Sequence, residues 1–195
     1  HGLVGVSLAG DVEIEPVVAQ GCRPIGRHMV VTRADENIIY ELGGKAPYEV
    51  VKSLLATVKP HEQRLLMRGG VLLGCAVDEH KEKFARGDFL IRNPIGIDAD
   101  SGAMAVNDLI RTGQTVQFHI RDGAAASHDL EQLLEPLREH PATGALIFSC
   151  NGRGMNLFSH RHHDARSVSE AGGDLPAAGL FCAGEIGPIG HRSFL

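Results

Sequence analysis

The chain has no tryptophan and two tyrosines among its 195 residues. A platform that stacks bases needs exposed aromatic rings, so composition speaks against that kind of nucleic-acid binder. Basic runs are missing too, and the net charge of −5 opposes docking on nucleic acid or on an anionic membrane surface. No apolar run approaches the ~18 residues of a membrane-spanning helix. The four cysteines, Cys22, Cys75, Cys150 and Cys182, form no CxxC pair, which argues against a zinc ribbon or knuckle. A disulfide framework would be unusual at this size, so the thiols read as reduced and the compartment as cytoplasmic. GxxxxGK[ST] and GxSxG are both absent, removing the P-loop and the nucleophile elbow. Gly152-Arg153-Gly154 is only a GxG, without the third glycine of a dinucleotide site. The first residue is His1 rather than Met, which reads as a piece of a longer chain.

What is present has the pattern of a folded domain, with 43% hydrophobic and 22% charged residues. Partial alternation over Leu3–Val18 predicts a strand pair near a sheet edge. Met29–Thr32 and Asn37–Leu42 read as a hairpin joined by Arg33–Glu36. Pro47 opens a helix with Tyr48, Val51, Leu54, Leu55 and Val58 on one face, Pro60 ends it, and His61–Arg68 read as a further helical turn or two. Strands follow over Val71–Val77, Phe89–Arg92, Ala103–Val106 and Thr115–Ile120. Ser127 is placed to cap a helix whose face is Leu130, Leu133, Leu134 and Leu137. Strand Ala145–Cys150, a helical stretch over Asp164–Glu170 and strand Ala178–Ala183 complete a β-α-β unit. The fold class is α+β: a mixed, mostly antiparallel sheet with helices packed on it.

Two glycine-rich turns follow the last two strands, Cys150-Asn151-Gly152-Arg153-Gly154 and Gly184-Glu185-Ile186-Gly187. Glycine allows sharp turns and close approach of another group. Arg153 in a loop before a helix can grip a carboxylate through two parallel hydrogen bonds, and Glu185 opposite could hold an ammonium group. Arg92 and Asn93, at a strand end before Pro94, are further contributors. The ligand-binding set is therefore Arg92, Asn93, Cys150, Asn151, Gly152, Arg153, Gly154, Gly184, Glu185 and Gly187. No catalytic residue, metal ligand or cofactor is assigned.

Plainer readings compete at each point. Arg153 and Glu185 could form an internal ion pair, and Arg92 could be a solvated turn residue. Gln20-Gly21-Cys22-Arg23-Pro24 is either a cavity loop or, preferably, a hinge. Cys150 is a nucleophile only if a base such as His119 reaches it. His160-Arg161-His162-His163-Asp164 has ligand spacing for a metal, although an exposed polar helix face is the better reading.

Five segments, in order, resemble a known family. They are Gln20–Gly26, Arg92–Asp98, Gln117–Asp122, the Cys150 turn and the Glu185 turn. Together they are similar to the C-terminal half of a FIST (F-box and intracellular signal transduction) domain over residues 21–195. Residues 1–20 resemble the tail of the N-terminal half. The resemblance implies a non-catalytic intracellular sensory module that binds a small polar ligand, with an amino acid as the candidate. It also implies a signalling partner protein. A cysteine-dependent enzyme using Cys150 and a protein-interaction scaffold are the alternatives.

Overall fold

Residues 5–85, 87–189 and 192–194 are described by the computed structural model. Most of its strands join one seven-stranded antiparallel sheet. These are β1 (Cys22–Asp35), β2 (Ile38–Leu42), β3 (Leu72–Ala76), β4 (Phe89–Arg92), β5 (Pro94–Ile97), β6 (Met104–Val106) and β7 (Thr115–Arg121), in the order β4-β3-β7-β1-β2-β6-β5. The hairpin turns on Glu36 and Asn37 alone, since Asp35 pairs with Ile38, and Glu36 takes φ 48°. The stretch read as a hinge is the opposite of one: Cys22–Ile25 pair with Arg121–Phe118 in the middle of the sheet.

Helices α1 (Pro47–Thr57) and α2 (Pro60–Gly69) cover one face of this sheet. Val51 and Leu66 enter a core with Val31, Leu73, Phe118 and Ile120, and Leu54 and Val58 pack at its margin. Tyr48 and Leu55 stay largely exposed. Pro60 ends α1 as expected and also begins α2 at a first-turn position, where its missing N–H costs nothing.

A second layer holds α3 (Gly123–Leu133), α4 (Glu135–Glu139), β8 (Ala145–Cys150), α5 (His163–Gly172) and β9 (Ala177–Cys182). Asp122, not Ser127, caps α3: its carboxylate accepts the N–H groups of Ala124 and Ala125. Ser127 lies inside the helix. Leu130 and Leu134 pack with Val168, Ala171, Leu175 and Ile147 in a separate core. β8 and β9 are parallel, from Ala145↔Ala177 to Cys150↔Cys182, and form a sheet of their own. The two strand directions are thus divided between sheets. A short antiparallel pair, β10 (Gly187–Ile189) and β11 (Arg192–Phe194), follows.

The leading strand pair is not formed. Residues 5–18 make no strand, and Val6, Leu8, Val12 and Ile14 project outward. Alternation alone does not make a strand, because the backbone groups need a neighbour to pair with. Leu3, Val4, Gly190 and Leu195 lie outside the described residues.

Candidate functional site

The parallel strands β8 and β9 run side by side and finish together, so the two glycine turns leave from adjacent strand ends. The Asn151 N–H donates to the Cys182 carbonyl at 2.8 Å and ties one turn to the other strand. The Arg153 N–H returns to the Cys150 carbonyl at 2.9 Å, closing the first turn. The carboxyl ends of parallel strands are where open α/β sheets receive ligands.

Arg153 is only 8% exposed. Its Nε and Nη2 donate to Oδ2 and Oδ1 of Asp164, each at 2.7 Å, in the two-pronged geometry that suits guanidinium and carboxylate. The guanidinium carbon lies 5.2 Å from the centre of the Phe158 ring. The remaining nitrogen, Nη1, is buried with no hydrogen-bond partner among the described residues. It sits 2.7 Å from where a Cβ on Gly21 would stand, and Gly21 has φ +69°. Glycine is required there twice over, by backbone and by space.

Asp164 is held from two further directions. The Ser149 hydroxyl donates to Oδ2 at 2.8 Å, and His163 Nδ1 lies 3.0 Å from Oδ1. Burial pushes the Asp164 carboxyl up, but the bonds from Arg153, His163 and Ser149 and the nearby positive charge outweigh it and lower its pKa to about 2. His163 is stacked on Phe158, with ring centres 3.5 Å apart, and its Nε2 meets Ser127 Oγ at 2.7 Å. Ser127, His163 and Asp164 thus follow the bonding order of a serine triad. However, the same Ser127 hydroxyl faces the Gly123 carbonyl at 3.0 Å, and Asp164 is committed to Arg153. The chain Ser127–His163–Asp164 braces the arginine.

Several expectations change accordingly. Arg153 pairs with Asp164, and no ion pair joins it to Glu185 among the described residues. Glu185 Oε1 is buried and also has no hydrogen-bond partner among the described residues. His163 and Asp164 are not an exposed polar face, since His163 is buried and Asp164 lies beneath Arg153. The two side chains most suited to a metal are spent on each other and on Ser127 and Arg153.

Cys150 is half-buried, and its sulfur accepts the Gly152 N–H at 3.4 Å. His119 is not its base. That imidazole is buried on the large sheet with Nδ1 3.0 Å from the Gln117 carbonyl, so Nδ1 carries the proton. Burial lowers its pKa, partly offset by that carbonyl, and keeps the ring neutral. His119 instead lines a cavity of about 100 Å³ with Gln20, Phe89, Ile91 and Leu133. Neither this cavity nor an open groove of about 440 Å³ beside Tyr40 and Ile95 is lined by the glycine turns.

Arg92 and Asn93 belong elsewhere: Arg92 Nε bonds the Asp108 carboxylate, and Asn93 is the single residue between β4 and β5. Gly154 faces Phe181, and Gly187 faces Val18 of the leading segment. Sequence reading gave no role to Arg121, the last residue of β7. Its Nη1 lies 2.7 Å from where a Gly152 Cβ would be, and it forms no ion pair among the described residues. Ser149 and Ser127 were given no part in the site either, and Asp164 was weighed only as a metal ligand. For Arg121 a signal existed in the Gln117–Asp122 segment; for the two serines there was none.

The architecture is that of an α+β domain with a braced, buried arginine at the ends of two parallel strands. The chain belongs to the FIST family: the FIST C domain matches residues 47–188 and the FIST N domain residues 1–45. FIST domains are generally sensory domains of signal transduction. The uncharacterized protein Rv0628c of Mycobacterium tuberculosis is 44% identical over 196 residues, 98% of this chain and 51% of that protein. The uncharacterized protein Mb0898c of Mycobacterium bovis is 43% identical over 197 residues, 100% of this chain and 50% of that protein. The chain thus spans about half the length of the curated relatives it matches. No solved structure matches it. No helix among the described residues is long and apolar enough to cross a membrane.

Proposed function

We propose that this protein is a non-catalytic sensory domain that binds a small polar ligand at the ends of β8 and β9, an amino acid being the chemistry that suits the site best. The observation that carries this reading is a pair of buried polar atoms on the two turn segments, Arg153 Nη1 and Glu185 Oε1, that find no hydrogen-bond partner among the described residues. A buried polar group without a partner costs about 1–3 kcal/mol, more if charged, and such groups persist where something else satisfies them. Arg153 and the adjacent cation Arg121 suit a carboxylate; Glu185 suits an ammonium group. Asn151, Cys150 and the glycines 152, 154, 184 and 187 would line the contact. The Asp164 brace supports a binding role, because it fixes the arginine in place without supplying a nucleophile.

The test is nuclear magnetic resonance of the protein labelled at arginine side chains, titrated with an amino-acid panel at neutral pH. Saturable shifts of the Arg153 Nε–H signal and of the amides of residues 150–154 and 184–187 are expected with at least one member. Shifts confined to residues remote from both turns would contradict the reading.

A further inference from the structure

The strand β9 is bare in a way that parallel strands are not. Every residue from Ala177 to Phe181 is exposed, and Leu180 and Phe181, which point to opposite sides, are 61% and 59% accessible. Its partner β8 buries one face: Ala145 and Ile147 pack against α3 and α5. The other face carries Leu146 at 64% and Phe148 at 58%. Register places Leu146 beside Ala178 and Phe148 beside Leu180, so these four side chains form one continuous apolar strip.

Two strands hydrogen-bonded only to each other are marginal, and parallel strands occur almost always with both faces covered. An apolar strip of this kind marks an interaction site. A second bare region lies in the leading segment, where Val6, Leu8, Val12 and Ile14 project from residues that make no strand. That segment is within the FIST N match, and its Val18 already touches Gly187 beyond the end of β9. The relatives carry about as much sequence again outside the match.

We propose that the outward face of β8–β9 is an interface for a further layer of polypeptide, the half of the relatives' length that lies outside the match. That layer covers Leu146, Phe148 and Leu180, packs against the free sides of β9, and receives the apolar side chains of the leading segment. The proposal is independent of the ligand reading: it concerns the strip along the strands, and the ligand atoms lie beyond the strand ends.

The test is co-production of this chain, carrying an affinity tag, with the unmatched sequence of the Mycobacterium tuberculosis relative Rv0628c. The expected result is recovery of a one-to-one complex. Phe148→Glu and Leu180→Glu should each lower recovery at least tenfold, while Leu109→Glu, an exposed substitution elsewhere, leaves it unchanged. Circular dichroism and melting of the tagged chain should not differ among the variants, because the substituted side chains are exposed. Absence of a complex from a folded chain would overturn the proposal. So would a complex indifferent to both strip substitutions, or a homodimer through this strip that the second polypeptide does not displace.

Discussion

At the scale of the residue, Arg153 and Asp164 set the chemistry. Removing one member of a buried ion pair strands the other charge, at a cost of about 3–5 kcal/mol. Arg153→Ala should therefore lower the unfolding free energy by that order in urea titration. Arg153→Lys should recover part of it, since lysine keeps the charge but not the two-pronged geometry. Stability should also depend on acid. The Asp164 pKa is about 2 in the folded chain, below its ordinary 3.8, so the folded state binds this proton less readily than the unfolded one. The resulting stabilisation, roughly 2 kcal/mol, is fully present above about pH 4 and is lost as pH falls toward 2. Asp164→Asn should flatten that part of the stability-against-pH curve. Thiol reactivity should divide by burial: Cys75, whose pKa burial pushes up to about 12, and buried Cys22 should resist a thiol reagent in the native protein. The half-buried Cys150 and Cys182 should react first.

At the scale of the element, the junction of β7 and α3 links the two layers. Asp122 caps α3 and also accepts from Arg23 Nε of β1 at 2.7 Å, while Arg23 Nη1 reaches Glu62 of α2 at 3.0 Å. Asp122→Ala removes the cap and one ion pair together. A loss of about 1–2 kcal/mol is expected from the cap alone, read as a lower melting temperature. This element also marks the limit of what could be read from sequence. Serine and aspartate both cap helices, and the leucine stripe at 130, 133, 134 and 137 points to Ser127 and a later start than the one α3 takes. The alanines at 124–126 hid the first turn. Strands were legible where an apolar run stood between turn residues, as in Ala145–Cys150. They were not legible where pairing partners decided the matter, as in the leading segment. Proline at 60 was legible as an ending and residues 61–68 as a further helical turn or two; α2 takes in both, with Pro60 itself in its first turn.

At the scale of the whole molecule, the adjacency of the Cys150 and Glu185 turns was legible, because a β-α-β unit returns its second strand beside the first. The partner of Arg153 was not. Two glycine turns with opposite charges suggested Arg153–Glu185, whereas folding brings Asp164 up from the start of α5 and leaves Glu185 without an ion pair among the described residues. The two cavities described above are lined by other residues than these turns. The division into two sheets follows from the same long-range pairing, which sequence periodicity does not encode. What remains is a rim carrying Arg121, Arg153 and Glu185 at one end of a parallel pair.

Calorimetric titration of the protein with an amino-acid panel at neutral pH tests the sensory reading most directly. The account predicts saturable one-to-one heat for at least one member. That heat should be lost in Glu185→Gln and weakened in Arg121→Ala, with melting temperatures near that of the unsubstituted protein. A folded protein that gives no heat with any member, or that binds equally well after both substitutions, would contradict it.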